Sequence, residues 1–296
     1  MRVSIGICAY NEEKNIGKLL GGLLEQKMQR GDTIQDIYVV SSGSTDRTED
    51  IIKKFMIKSN KVKLISQKKK EGKASAINLF LKKATGDVLV LQSADTLPAN
   101  KKTIANLVSP LKRENIGMTG GKSIPLNDKE TFMGFVVHLV WGLHHLVALE
   151  NPKLGEIVAF KNLVKDIPMT TAVDEASIEA IITQKGYELA YAKDSEIYNK
   201  GPETIRDFIK QRKRIYLGHM HLKHTQGYSP STEKKTRVVR NLIKHSEISP
   251  KRLVWTVFAV ALDVYIRLLA DIDFYIFKRN PYNWEISKTT KDLKKK

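Results

Sequence analysis

The 296 residues are 42% hydrophobic and 28% charged, which excludes a disordered chain and suits one large α/β domain with an appendage, or two small domains. Lys and Arg number 50 against 32 Asp and Glu, a net charge of +18, so an anionic partner is expected: nucleic acid, acidic lipid headgroups or phosphorylated substrates. The basic residues cluster at 68–73, 210–214, 234–240 and 291–296, without zinc-finger spacing or an aromatic RNA-binding pattern, which sets nucleic acid aside in favour of phosphates on a small molecule or a lipid. Cys8 is the only cysteine, which rules out an intrachain disulfide and a thiolate metal cluster. It falls in an apolar run at the start of the chain with no signal-peptide pattern ahead of it, so a reducing, cytosolic setting is expected.

In chain order, the spacing predicts strands over 3–8, 36–41, 61–65 and 87–92, and helices over 12–26, 46–57 and 73–83. The strands are short, Val- and Ile-rich runs, as expected when helices cover both faces of a mostly parallel sheet. Such alternation implies a doubly wound sheet whose ligands sit at the carboxyl ends of its strands. Tyr10-Asn11-Glu12, Ser41 to Asp46 and Ser93-Ala94-Asp95 each follow a strand, so three distant segments are expected on one rim.

Further on, residues 131–149 carry no formal charge with neutral histidines; apolar residues take one helical face and His138, Gly142 and His145 the other. This reads as an amphipathic helix lying on a membrane or packed in the core. An amphipathic helix is predicted over 176–185, and a Gly/Ser/Pro/Lys-rich linker over 225–235. The apolar stretch 253–277 carries Asp263, Arg267 and Asp271 at every fourth position and basic pairs at both ends, Lys251-Arg252 and Lys278-Arg279. Positive charge on both flanks favours docking on an anionic lipid surface over a crossing. The expected organisation is a catalytic domain over 1–224, a basic linker over 225–250 and a membrane-associating helical segment over 251–296.

Several candidate residues have both a structural and a chemical reading. Asn11 and Glu12 serve equally as a helix cap with a first-turn acid, or as groups accepting from ribose hydroxyls. Ser44, Thr45 and Asp46 are explained as the start of the next helix. Lys73, after Glu71-Gly72, either meets a phosphate or is one more solvated lysine. Asp174 serves as a helix N-cap with Glu175 in the first turn, a role that does not exclude a chemical one. His219, His221 and His224 have offsets that do not gather on one helical face, and they read as solvated or lipid-facing.

With Cys8-Ala9-Tyr10-Asn11-Glu12-Glu13, Ser42-Gly43-Ser44-Thr45-Asp46 and Gln211-Arg212-Lys213-Arg214, the chain resembles the family 2 glycosyltransferases from about Val3 to Gly218. The resemblance implies a GT-A (Rossmann-like) fold, a nucleoside-diphosphate-sugar donor and transfer with inversion. It places Ala9, Tyr10, Asn11, Glu12, Ser41 and Lys73 at the donor, with Ser41 where relatives commonly carry a base-contacting Asp. Gln92-Ser93-Ala94-Asp95 falls at the family's DxD motif, with Ser93 in place of its first acid. Asp95 is left to contact a divalent cation, Mg²⁺ or Mn²⁺, that bridges the diphosphate. Asp174 matches the family's general base. Gln211 and Arg214 match QxxRW, with Ile215 in place of Trp; Arg214 is suited to a diphosphate.

The expectation is therefore an inverting hexosyltransferase-like enzyme acting on a lipid-linked or glycan acceptor at the cytoplasmic face of a membrane. A nucleotidyltransferase would open on a Gly-rich loop, and this chain has Ala-Tyr-Asn-Glu-Glu there. The second reading is an impaired nucleotide-sugar-binding relative, since Ser41, Ser42 and Ser93 replace expected acids.

Overall fold

The computed structural model describes residues 1–229 and 249–279 together with Leu293. The first elements alternate as β1 (Arg2–Ala9), α1 (Ile16–Leu24), β2 (Thr33–Ser42), α2 (Thr48–Lys58), β3 (Val62–Gln67), α3 (Lys73–Lys83) and β4 (Val88–Ser93). There follow β5 (Thr96–Pro98), α4 (Thr103–Val108), β6 (Ile116–Pro125), α5 (Phe132–Glu150), β7 (Ile157–Lys161), α6 (Asp174–Gln184), β8 (Glu188–Asn199), α7 (Ile205–Gln226) and α8 (Pro250–Asp271).

All eight strands form one sheet in the order β3-β2-β1-β4-β7-β6-β8-β5. β3, β2, β1 and β4 run parallel, β7 runs antiparallel between β4 and β6, and β8 pairs parallel with β6. Successive residues of a strand point to opposite faces, and the core divides accordingly. Ile37 and Val39 of β2, with Val88 and Val90 of β4, pack against α1, α2 and α4. Tyr38, Val40, Leu89 and Leu91 pack on the opposite side, against α3 and α6. Apolar residues at consecutive positions are therefore the mark of a strand covered on both faces.

The observed helices correct the expected starts. α1 begins at Ile16, four residues after Glu12, and α2 begins at Thr48. α6 already includes Asp174 and Glu175 in its first turn. α7 continues through Thr225 and Gln226, where a linker was expected, and closes on the left-handed Gly227. Most of the expected linker and the end of the 251–296 segment (residues 230–248, 280–292 and 294–296) lie outside the described residues.

α5 packs rather than lying free. His138 Nε2 bonds the Asn127 carbonyl oxygen at 2.9 Å and His145 Nδ1 bonds the Tyr191 hydroxyl at 2.8 Å, so its polar side faces the β6–β8 half of the sheet. Phe132 and Phe135 meet Trp255 of α8 with ring centroids 5.8 and 5.6 Å apart. The polar stripe of α8 turns toward α7: Asp263 accepts from the Tyr216 hydroxyl and from Arg267 Nε at 2.8 Å, and Arg212 Nη2 lies 3.4 Å away. Asp271 stays exposed, whereas Asp273, in the π-helical turn Ile272–Ile276, is buried and paired with Lys213 Nζ at 2.7 Å. The opposite side of α8 exposes Leu253, Val257, Phe258, Val264 and Leu268. Both α5 and the helix from Pro250 to Ile276 are long and apolar enough to cross a membrane by length and composition.

Candidate active site

The rim begins where β1 ends. Asn11 takes a left-handed backbone, φ 52°, a conformation that Asn tolerates better than most residues. Its amide binds the neighbouring loop instead of capping a helix: Oδ1 accepts from Thr45 N at 2.8 Å, and its own N donates to Ser44 Oγ at 3.2 Å. Glu12 is buried; its N donates to Thr48 Oγ1 at 2.8 Å and its carboxylate accepts from Asn15 Nδ2 at 3.0 Å. Asp46 reaches back to Glu13 N at 3.1 Å and forward to Thr48 N at 3.0 Å. These bonds weld the loops after β1 and β2 together, which corrects the cap readings of Asn11, Ser44 and Thr45.

Ala9 and Ser41 are register partners and fully buried. Ser41 Oγ donates to Ser44 Oγ at 3.1 Å, so the position where relatives commonly have an acid supports the loop. Gly43 has φ +68°, and a Cβ there would lie 2.7 Å from the Lys69 backbone, so only glycine lets the 68–72 loop pack this closely. That loop brings the Lys70 ammonium to 5.1 Å from the Tyr10 ring centroid.

Lys73 opens α3, and its partly buried ammonium is engaged by two acids. Nζ lies 2.8 Å from Glu175 Oε1 and 3.2 Å from Asp174 Oδ2. Burial by itself would lower the Lys73 pKa; Glu175 and Asp174 outweigh it and hold the ammonium above its ordinary value. Asp174 is only 2% exposed, and burial raises its carboxyl above the usual carboxylate range despite Lys73. Its Oδ1 is buried and makes no hydrogen bond among the described residues. α7 reaches this acid because residue 218 is glycine: a Cβ there would lie 2.9 Å from Val173 Cγ1. Cys8, at the end of β1, feels the same three groups, and burial pushes its thiol up to about 12.

Ser93, Ala94 and Asp95 end β4 in a turn closed by Thr96 Oγ1 on the Ser93 carbonyl oxygen, 2.8 Å. Sequence reasoning missed Glu156. The antiparallel register pairs Gln92 with Ile157, and Ser93 N donates to the Glu156 carbonyl oxygen at 3.3 Å. Glu156 thus stands across the ladder from Ser93, and directly opposed residues share a face of the sheet. Burial, then Asp95 and Glu175, raise its carboxyl above the usual range. Only strand pairing could have revealed it, since 61 positions separate it from Asp95.

Arg214 on α7 is drawn electrostatically by Asp174, Glu175, Glu156 and Asp95, although burial lowers its pKa overall. Gln211, half-buried, stands almost one turn earlier on the same helix. The structure therefore gathers Lys73, Asp95, Asp174, Arg214 and the unforeseen Glu156, while Ala9, Asn11, Glu12 and Ser41 build the adjoining loops. No group of three or more His, Cys, Asp or Glu with metal-holding geometry occurs among the described residues. His221 packs on Phe274, with centroids 4.8 Å apart, and His219 is half-buried, whereas His224 is exposed at the edge of the same ring, 6.3 Å away.

A mostly parallel mixed sheet with this carboxyl-end rim defines a GT-A fold. Residues 4–162 match the family described as Glycosyl transferase family 2, and the chain belongs to that family. It is 30% identical over 272 residues to a probable glycosyltransferase, YdaM, of Bacillus subtilis, covering 87% of this chain and 61% of that protein. It is 28% identical over 160 residues to a dolichyl-phosphate β-glucosyltransferase of Trichomonas vaginalis, covering 50% and 48%. The chain thus spans about half to three-fifths of the length of these curated relatives. Among solved structures, a mannosyltransferase of Pyrobaculum calidifontis in complex with GDP-Man and Mn²⁺ matches with TM-score 0.60 at 22% identity, over 95% of this chain and 81% of that one.

Lys73 supplies the counter-charge for the buried Asp174 and the partly buried Glu175, which gives a signed expectation. Lys73→Met should lower the unfolding free energy at neutral pH by ~1–3 kcal/mol, the scale of leaving a buried charged group unsatisfied. The loss should shrink as the pH falls, because a protonated Asp174 needs no counter-charge. Denaturant melts at neutral and acidic pH check this; a loss that grows in acid contradicts the assignment.

Proposed function

We propose that this chain transfers a sugar, with inversion, from a nucleoside-diphosphate donor to a hydroxyl of a lipid-linked or glycan acceptor held at the cytoplasmic face of a membrane. The observation that carries the reading is Asp174: buried, raised in pKa, held through one oxygen by Lys73, with the other making no hydrogen bond among the described residues and Arg214 acting on it electrostatically. A general base needs that combination of fixed position and raised basicity. The family membership and the mannosyltransferase solved with a nucleotide sugar support the donor class.

In this reaction Asp174 Oδ1 takes the proton of the acceptor hydroxyl as its oxygen bonds to the donor's anomeric carbon. The bond from that carbon to the diphosphate oxygen breaks on the opposite face, and its electron pair leaves with the diphosphate. Arg214 neutralises the departing charge. Lys73 keeps Asp174 ionised and oriented. Tyr10, Asn11 and Glu12 receive the nucleoside on loops that the buried Ala9 and Ser41 support, and Ser93, Ala94 and Gln211 complete the wall. The oxygen donors at the rim suit a hard divalent cation: Asp95 and Glu156 would hold Mg²⁺ or Mn²⁺, which stabilises charge on the leaving group. Two carboxylates are few for such an ion, so the donor's phosphates would have to supply further oxygens.

Three outcomes test the proposal. Asp174→Asn should retain donor binding and lose about 10²-fold or more in turnover. Wild-type turnover should fall with acid through an apparent pKa above the ~4 of an ordinary carboxylate; near-normal turnover with weakened donor binding would move Asp174 to the donor site. In calorimetric titrations Mn²⁺ should bind weakly to the free protein and more tightly with a nucleoside diphosphate present, and Glu156→Gln should abolish most of that gain. Equal affinities with and without nucleotide would remove the two-carboxylate site. On anionic vesicles the protein should bind through the apolar side of α8, come off in high salt and be released by carbonate without detergent. Retention until detergent is added would show insertion.

A further inference from the structure

α7 has the active site on one side and α8 on the other. At about 100° per residue, Gln211, Arg214 and Gly218 fall on one side of this helix, and Ile209, Arg212, Lys213 and Tyr216 on the opposite one. The first set faces the rim: Gly218 seats against Val173, and Arg214 is drawn electrostatically to Asp174, Glu175, Glu156 and Asp95. The second set meets α5 and α8, where Ile209 and Tyr216 pack with Val136, Ala259, Leu262 and Ile266.

Tyr216 is the centre of that second contact. Two guanidinium groups stand over its ring, Arg212 at 4.8 Å and Arg267 at 4.2 Å from the centroid. Its hydroxyl donates to Asp263 and accepts from Arg212 Nη2 at 2.5 Å and from Arg267 Nη2 at 2.9 Å. Asp263 also accepts from Arg267 Nε at 2.8 Å. Burial pushes the Asp263 carboxyl up, but Arg212, Tyr216 and Arg267 outweigh it and hold the group below the usual carboxylate range. Beside this cluster, Lys213 Nζ reaches Asp273 Oδ2 at 2.7 Å.

The proposed reaction uses none of these groups. Docking on lipid does not need them either, because Leu253, Val257, Phe258 and Leu268 are exposed on the other side of α8. Well-packed apolar side chains often hold helices together as tightly as ion pairs do. What a set of directed, charge-assisted bonds adds is orientation. A turn of roughly 20° about the axis of α7 would carry side-chain tips, at a radius of ~5–6 Å, by about 2 Å. That is enough to take a guanidinium out of hydrogen-bond reach of a diphosphate.

We propose that Asp263 is a positioning residue for Arg214: through Tyr216, Arg212 and Arg267 it fixes the rotation of α7, and so aims Arg214 at the donor's diphosphate. This rests on the assignment of Arg214 to the diphosphate in the proposed reaction. Asp263 touches no substrate. It sets how tightly the terminal phosphate is held and leaves nucleoside recognition, by the loops after β1 and β2, alone.

The test is the ratio of diphosphate to monophosphate affinity, measured by calorimetry on the full-length protein with Mn²⁺, for UDP against UMP and GDP against GMP. A general loosening of the fold lowers both affinities of a pair, whereas misdirection of Arg214 lowers only that of the diphosphate. Arg214→Gln should reduce the ratio by about tenfold or more, the scale of a charge-assisted hydrogen bond. Asp263→Ala should reduce it by about threefold or more with monophosphate affinity unchanged, and should add nothing to Arg214→Gln in the double variant, as expected of coupled residues. Should Asp263→Ala melt early, Tyr216→Phe, which keeps the ring and removes only the bridging hydroxyl, carries the same comparison. An unchanged ratio overturns the positioning role, as do equal losses for monophosphate and diphosphate or full additivity in the double variant. If Arg214→Gln itself leaves the ratio unchanged, the assignment of Arg214 to the diphosphate fails, and the positioning role falls with it.

Discussion

The contact on which the site depends is the Lys73 ammonium between Asp174 and Glu175. All three residues lie in the first turns of helices, α3 for the lysine and α6 for the acids. The acids suit the positive end of a helix, whereas a lysine there is disfavoured by roughly 0.3–1 kcal/mol. Lys73 is therefore not placed for the sake of α3; the acid pair offsets its helix position and its desolvation. The bridge joins two helices on the same face of the sheet, and it holds a raised-pKa carboxylate at the carboxyl end of β1. α7 then closes over Asp174 only because Gly218 lets it approach Val173. Arg214 reaches the acids from that helix, so the cation nearest the proposed leaving group and the proposed base depend on a single packing contact.

How far this was legible from the sequence varied with the range of the interaction. Strands β1 to β4 could be read directly, since apolar side chains on both faces leave an uninterrupted Val/Ile run in the sequence. The placement of Asp95, Asp174 and Arg214 also followed from motif order. Helix starts did not, because Asn11, Ser44 and Thr45 bond between two loops more than 30 positions apart rather than to their own helices, and Asp46 divides its carboxylate between the two. Side-chain oxygens of this kind bond equally well to a cap or to a neighbouring loop, and tertiary packing decides which. Lys73 was ambiguous for the same reason: a lysine near a Gly-rich turn gives no hint of acids 102 positions away.

Glu156 shows most sharply what local reading cannot supply. Ser93 looks like a lost acid when β4 is read along the chain. Read across the sheet, a carboxylate stands opposite it just before β7, the strand that enters antiparallel between β4 and β6. In the proposed reaction a hard cation counts oxygen donors by position, not by which strand carries them. The serine therefore does not by itself favour the reading of an inactive relative. Ser41 is different: its hydroxyl is committed to Ser44, so nothing restores an acid at that point of the rim, and the nucleoside must be recognised by other groups there.

The same cross-chain view bears on α8. Viewed alone, its charged stripe of Asp263 and Arg267 reads as an obstacle to membrane crossing. In the fold it is an attachment, because Asp263, Arg267, Tyr216 and Arg212 satisfy one another between α8 and α7, and Lys213 pairs with Asp273 one turn beyond. Pulling α8 across a bilayer would break these pairs and transfer Asp263 and Arg267 into hydrocarbon, where each charge costs roughly 2.5–3.5 kcal/mol even by insertion-based scales. Lying flat keeps every pair and immerses only the apolar side, with Lys251 and Arg252 left at headgroup level. The helix that carries Arg214 is then fixed to the helix proposed to meet lipid.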